Sequence, residues 1–350
     1  MSASAPDRRA APLALTMGEP AGVGGEIALK AWMGRDAGVP AFFAIDDPER
    51  LRRLARRIGW PVEIRRISRP AEALATFADA LPVLALSNPV DGEPGTLDTA
   101  NAGAVQEAIE TAVALVMAGE AAAVVTNPIH KQNLYAAGFA FAGHTEFLAH
   151  LAGLKTPPVM MLACANLRVV PVTVHVSLIE SIRQLTTAAI IEKSAITAAA
   201  LRDDFGIPRP RLAVAGMNPH AGEGGGMGTE EETIVRPAIE ALQSMGIDAF
   251  GPMSPDTMFS VHARDRYDAA ICMYHDQALI PIKTLDFDGT VNMTLGLPFV
   301  RTSPDHGTAL DIAGTGKAEE ASLLAAMRMA ARMAEIRARN VPTRLTAAKR

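Results

Sequence analysis

Cysteine is scarce. There are two in 350 residues, Cys164 and Cys272, each inside an apolar run. Such residues read as buried free thiols of a reducing compartment, and they leave no disulfide scaffold to build on. Long apolar runs are missing too: no stretch approaches the ~18 residues of a membrane span. Met1 to Ala11 carry Asp7, Arg8 and Arg9 without an apolar segment, unlike a secretory signal, so a cytoplasmic chain is expected. The formal net charge is −5 and no basic stripe stands out, which argues against a nucleic-acid surface. The densest basic stretch is Arg52, Arg53, Arg56, Arg57, Arg65, Arg66 and Arg69. It alternates with Leu51, Leu54, Ile58 and Ile64 and reads as the solvated faces of one helix and one strand.

Two nucleotide signatures are also absent. The glycine-rich turn Thr16-Met17-Gly18-Glu19-Pro20-Ala21-Gly22-Val23-Gly24-Gly25-Glu26 has neither the G-x-G-x-x-G spacing nor a G-K-[ST] ending. No local zinc motif such as H-E-x-x-H occurs, and no internal repeat is evident.

What is present is ordinary globular material, 49% hydrophobic and 20% charged, long enough for two domains. Strand and helix signals alternate, which predicts α/β architecture. Strands are expected near 12–17, 41–45, 83–86, 122–126 and 159–163. Helices are expected from Asp47-Pro48 to Gly59 and over 99–118, 144–151, 185–205, 229–245 and 317–339, with a frayed basic tail.

Three further apolar runs each end in a histidine: Val169 to His175, Leu212 to His220 and Ala269 to His275. Short β-branched runs closed by turn chemistry read as buried strands. A histidine just beyond each would lie at the carboxyl rim of the sheet, where open α/β sheets bind ligands. Taken singly, each is as readily a surface or cap residue. Their shared context points to a divalent metal held by nitrogen, with zinc, cobalt and magnesium all open. Other strings carry polar groups suited to an anion. Gly143-His144-Thr145-Glu146 opens a helix, where hydroxyl, imidazole and backbone N–H groups can bind carboxylate or phosphate. Lys283, Asn292 and Arg301 can donate to a phosphate, Arg301 bidentately. Asp276 follows His275, and Asp256 lies in Gly251-Pro252-Met253-Ser254-Pro255-Asp256-Thr257.

The string His306-Gly307-Thr308-Ala309-Leu310-Asp311-Ile312-Ala313-Gly314-Thr315-Gly316 resembles the cofactor-adenosine loop of the isocitrate and isopropylmalate dehydrogenase superfamily. From about Pro12 to Arg339 the chain resembles one member family, 4-hydroxythreonine-4-phosphate dehydrogenase of vitamin B6 biosynthesis. The strings that carry this are Gly18 to Gly22, Gly143 to Glu146, Asn218 to Glu223, Tyr274 to Gln277 and Leu297 to Ser303. Gly25 and Asn127 depart from the family pattern, which commonly has proline and glycine there.

The resemblance implies two α/β/α domains with the active site in the cleft between them. The first would be 1–127 plus 297–350, with the cofactor loop. The second would be 128–296, with metal and dimer contacts. It implies metal on His175, His220 and His275. Substrate would sit on His144, Thr145, Lys283, Asn292 and Arg301, with Asp256 and Asp276 nearby. NAD or NADP would lie on His306, Gly307, Asp311 and Gly314. The implied reaction is oxidation of a phosphorylated hydroxy acid at C3 with loss of CO2, in a homodimer. Each site would be shared, with His275 coming from the partner of the subunit that supplies His175 and His220.

Overall fold

The computed structural model describes residues 11–347, and side chains as far as 340. The N-terminal segment considered above as a signal lies almost wholly outside the described residues. The chain forms two compact units. One comprises 1–158 and 297–350, the other 159–296. Residues 128–158, expected in the second domain, thus belong to the first unit. The reason is apolar packing: Leu134, Phe139, Phe147 and Leu148 join Phe43, Ile45, Val105 and Ile109 in one core cluster.

In the first unit six parallel strands run in the order β3-β4-β2-β1-β5-β12. They are β1 (Leu13–Thr16), β2 (Phe42–Asp46), β3 (Ile64–Ile67), β4 (Leu81–Ala85), β5 (Val124–Thr126) and β12 (Arg301–Pro304). Every residue of β1 and β2 is buried, as expected of parallel strands covered on both faces. The helix Pro48–Ile58 starts as its sequence predicts. Asp47 caps it by accepting from the Glu49 N–H at 2.8 Å, Pro48 occupies its first turn, and Gly59 ends it at φ +73°. The helix Ala102–Ala118 buries Val105, Ala108, Ile109, Ala112, Val113 and Val116, a stripe at helical spacing.

The second unit is a mixed sheet ordered β11-β6-β7-β10-β8-β9. Its strands are β6 (Val159–Cys164), β7 (Leu167–Pro171), β8 (Arg211–Ala215), β9 (Asp248–Met253), β10 (Ala269–Cys272) and β11 (Val291–Leu295). β11 and β7 each pair antiparallel with β6, whereas β7, β10, β8 and β9 are mutually parallel. The helix expected over 229–245 begins with a π turn, Glu231–Val235, before the α-helix Arg236–Ser244. The C-terminal helix runs Ala321–Ala347, beyond the expected end at Arg339.

Candidate active site

The three histidine-terminated runs are the adjacent parallel strands β7, β10 and β8, so all three histidines leave the sheet at its carboxyl edge. Two side chains tie these strand ends together. Thr173 Oγ1 donates to the Met273 carbonyl at 2.9 Å, linking β7 to β10. Buried Gln277 accepts from the Met273 N–H at 2.6 Å and donates to the Gly216 carbonyl at 2.8 Å, linking β10 to β8. Neither was singled out as functional from sequence, because a side-chain bond to a distant strand end leaves no local pattern.

Within one chain the rings of His175 and His275 lie 5.9 Å apart. They border a cavity of about 270 Å³ with Tyr274, Asp276 and Leu178. His275 Nδ1 is 2.7 Å from Asp276 Oδ1. A carboxylate can only accept, so Nδ1 is the donor to Asp276; in the neutral ring Nε2 is then the nitrogen left with the lone pair that a metal-ligating imidazole needs.

His220 does not join this pair, and among the described residues no three His, Cys, Asp or Glu side chains of one chain gather as a metal group. His220 starts a run of six residues at positive φ, His220 to Gly225. Its own φ is +51°, and His175 has φ +30°. Non-glycine residues in that region cost about 1–3 kcal/mol each and persist only where surroundings over-determine them. Here the surroundings are two acidic groups. Glu231, 1% exposed, accepts from the Asn218 N–H at 2.7 Å and from Asn218 Nδ2 at 2.9 Å. Glu230 accepts from the same Nδ2 at 2.7 Å. Glu230 and Glu231, at the start of the helix expected over 229–245, thus anchor the turn that bears His220. Asp256 is exposed; its carboxyl is held below the usual range by the Ser254 hydroxyl, which donates to it, with His220 adding to the effect. Lys283 is half-buried with its ammonium over the Phe287 ring at 5.4 Å, and Asn292 lies on β11.

The first unit assembles a second polar group. Arg301 is 4% exposed, and its Nη2 donates to Thr126 Oγ1 at 2.6 Å. Burial pushes its pKa down to about 10, so it stays charged near neutrality. His144 opens the helix His144–Leu151, with Thr145 in the same turn. Burial first, then the Arg301 and Lys131 charges, hold its imidazole well below the ordinary value of 6.5. His144 Nε2 is buried and has no hydrogen-bond partner among the described residues. A neutral imidazole and a buried guanidinium near each other are groups that can bond an anion through N–H donors.

Residues 306–316 form an irregular loop held from below. Glu26, wholly buried, accepts from the Gly314 N–H at 2.9 Å and from the Ala318 N–H at 3.0 Å. The N-terminal glycine turn is the loop's platform. The Val23 N–H donates to the Thr308 carbonyl at 3.0 Å, and a Cβ on Gly22 would lie 2.7 Å from that oxygen. His306 Nδ1 faces the Gly307 carbonyl at 2.9 Å, and its Nε2 is buried without a hydrogen-bond partner among the described residues. Gly307 and Asp311 are exposed. A Cβ on Gly307 would meet nothing within 4 Å, so the space beside it is open, whereas Gly314 sits at φ +70° against Pro94.

Two α/β units bearing imidazole, guanidinium and carboxylate groups at strand ends define an enzyme of the open-sheet α/β class. The chain belongs to the family of the pyridoxal phosphate biosynthetic protein PdxA, whose model matches residues 39–330. It is 53% identical, over 93% of its length and 97% of the relative's, to a 4-hydroxythreonine-4-phosphate dehydrogenase of Bradyrhizobium diazoefficiens. The crystal structure of a 4-hydroxythreonine-4-phosphate dehydrogenase from Klebsiella pneumoniae superposes with a TM-score of 0.84 at 40% identity, covering 93% of this chain and 100% of that one. A terephthalate 1,2-cis-dihydrodiol dehydrogenase from Burkholderia xenovorans is more distant, with a TM-score of 0.63 at 28% identity, covering 92% and 98%. No helix among the described residues is long and apolar enough to cross a membrane.

Proposed function

We propose that the chain oxidises 4-phosphooxy-L-threonine at C3, with decarboxylation to 3-amino-2-oxopropyl phosphate and reduction of NAD or NADP. The observation that carries this reading is the buried Arg301 guanidinium beside the neutral imidazole of His144, within a chain half identical to proteins of that name. Arg301, with Lys283 and Asn292, binds the phosphate; His144 and Thr145 orient the polar end of the substrate. The loop 306–316 receives the dinucleotide, which accepts the hydride, as suits a dehydrogenase.

The donor set fits a divalent metal. His275 turns Nδ1 to Asp276, which in the neutral ring leaves Nε2 for a metal, His175 stands beside it, and His220 is held at a strained backbone position. A metal there would lower the pKa of a substrate hydroxyl and stabilise negative charge. The proposed sharing is the one the resemblance implies: one subunit supplies His175 and His220, and its partner supplies His275. Support for a second copy comes from the second unit's surface. Leu178, Ile179 and Ile182 on one helix, with Ile280, Leu285 and Phe287, are all exposed, and Leu178 borders the cavity with His175 and His275.

A cyclic diol carboxylate is the second reading, favoured only by the more distant dihydrodiol dehydrogenase, and it gives the phosphate-binding residues nothing to do. The deciding assay follows reduced dinucleotide by absorbance with 4-phosphooxy-L-threonine and with a cyclic diol acid, with and without a chelator. Turnover of the diol acid alone would overturn the proposal.

A further inference from the structure

Beside the loop 306–316, in the same unit, lies a pocket of about 200 Å³ lined by Arg50, Arg53, Arg57, Pro20, Glu93 and Pro94. Three guanidiniums on one helix end in it. Arg50 is fixed by Asp46, through Nε to Oδ1 at 3.0 Å and Nη2 to Oδ2 at 2.7 Å, and it donates from Nη1 to the Pro20 carbonyl at 3.2 Å. Arg57 pairs with Glu93, whose side chain is 75% exposed. Arg53 donates to the Val90 carbonyl at 3.2 Å. Three guanidiniums face two carboxylates, so the pocket holds one cation in excess. The Arg57 partner is an exposed carboxylate that a stronger anion can displace, since exposed pairs are worth little.

The pocket shares a wall with the loop. A Cβ on Gly314 would lie 2.7 Å from Pro94 and 3.4 Å from Arg57 Nε, and one on Gly95 would lie 3.0 Å from the Leu310 carbonyl. Gly25 adds room at the floor, where a Cβ would meet Arg50 Nη2 and Leu54 Cδ2 at 3.0 Å. Sites for whole drug-sized ligands are larger, about 300–1,000 Å³. This one suits a single charged group at the end of a larger molecule lying along the loop.

We propose that the pocket of Arg50, Arg53 and Arg57 binds the 2′-phosphate of an adenosine, so that the chain prefers NADP to NAD. The assignment rests on the reading of 306–316 as the dinucleotide loop. Arg57 and Arg53 offer planar forks that match phosphate oxygens, and the dianion displaces Glu93 from Arg57. With NAD, the same space holds a neutral ribose hydroxyl and the Arg57–Glu93 pair remains.

The test is calorimetric titration of the full chain with 2′,5′-ADP, 5′-AMP and inorganic phosphate. We expect 2′,5′-ADP to bind at least about tenfold tighter than 5′-AMP. Arg53→Ala and Arg57→Ala should each erode that preference without weakening 5′-AMP, and Glu93→Gln should enlarge it. Equal affinity for the two nucleotides, or a preference that survives in the double alanine variant, overturns the proposal and leaves the dehydrogenase reading standing. Inorganic phosphate binding as tightly as 2′,5′-ADP also overturns it, since the pocket is then a general anion site. Binding of 2′,5′-ADP with the expected mutational pattern, but no dinucleotide reduction with any candidate acid, supports the pocket and defeats the dehydrogenase reading. If neither nucleotide binds, both fall.

Discussion

Glu26 and Gly314 are 288 positions apart in the chain, and the Gly314 N–H donates to Glu26 Oε2 over 2.9 Å. The other carboxylate oxygen accepts from the Ala318 N–H, so one buried side chain sets both ends of a turn that has no regular structure of its own. Removing an acceptor while leaving buried donors costs about 1–3 kcal/mol. Glu26→Ala should therefore lower unfolding free energy by about that amount in urea. Glu26→Gln should retain more of it and still weaken nucleotide binding in calorimetry. A nucleotide affinity unchanged in Glu26→Ala would detach the loop from cofactor binding.

Arg301 is buried and held by Thr126, so lysine cannot replace its fork. Arg301→Lys should lose about 2 kcal/mol or more of transition-state stabilisation in kcat/KM. The measurement compares phosphorylated and dephosphorylated substrate. An equal loss on both would show that Arg301 does not read the phosphate.

His144 has its folded-state pKa below the unfolded value of 6.5. The unfolded chain therefore binds the proton first, and stability falls as pH drops below 6.5 toward the folded pKa. Above 6.5 the imidazole is neutral in both states and contributes no slope. His144→Asn should flatten Tm against pH in the acid limb and leave the neutral limb unchanged. Parallel acid limbs in the two proteins would rule out the buried neutral imidazole.

The ligand sharing predicts which pairs of inactive variants complement. In a heterodimer of His175→Ala and His275→Ala, one site carries both lesions and the other is intact, so about half the activity should return. In a heterodimer of His175→Ala and His220→Ala, each site carries one lesion and activity should stay at background. The reverse pattern, measured on tagged, isolated heterodimers, would show that His220, not His275, comes from the other subunit.

The strands and the histidines at their ends were legible because a short apolar run and the turn that closes it are local. So was the helix Pro48–Ile58, which carries its own cap, proline and glycine. The break near 158 was not, because Phe139 and Phe147 choose their core by packing against residues far away in sequence. Nor were Glu26, Gln277 and Glu231, whose partners are backbone groups or a side chain that only the fold brings near. Arg53 and Arg57 looked like a solvated face because helical periodicity shows which side is polar, not what is built opposite it.

Val159 and Leu295 are partners across β6 and β11, so the second unit's chain enters and leaves at neighbouring points. The segment 159–296 is therefore a cassette with both connections at one doorway. Grafting it between relatives needs no long new linker, and His175, His220 and His275 travel together while His144, Arg301 and the 306–316 loop stay behind. A chimera of this kind would show which half of the protein dictates the metal and which dictates the dinucleotide.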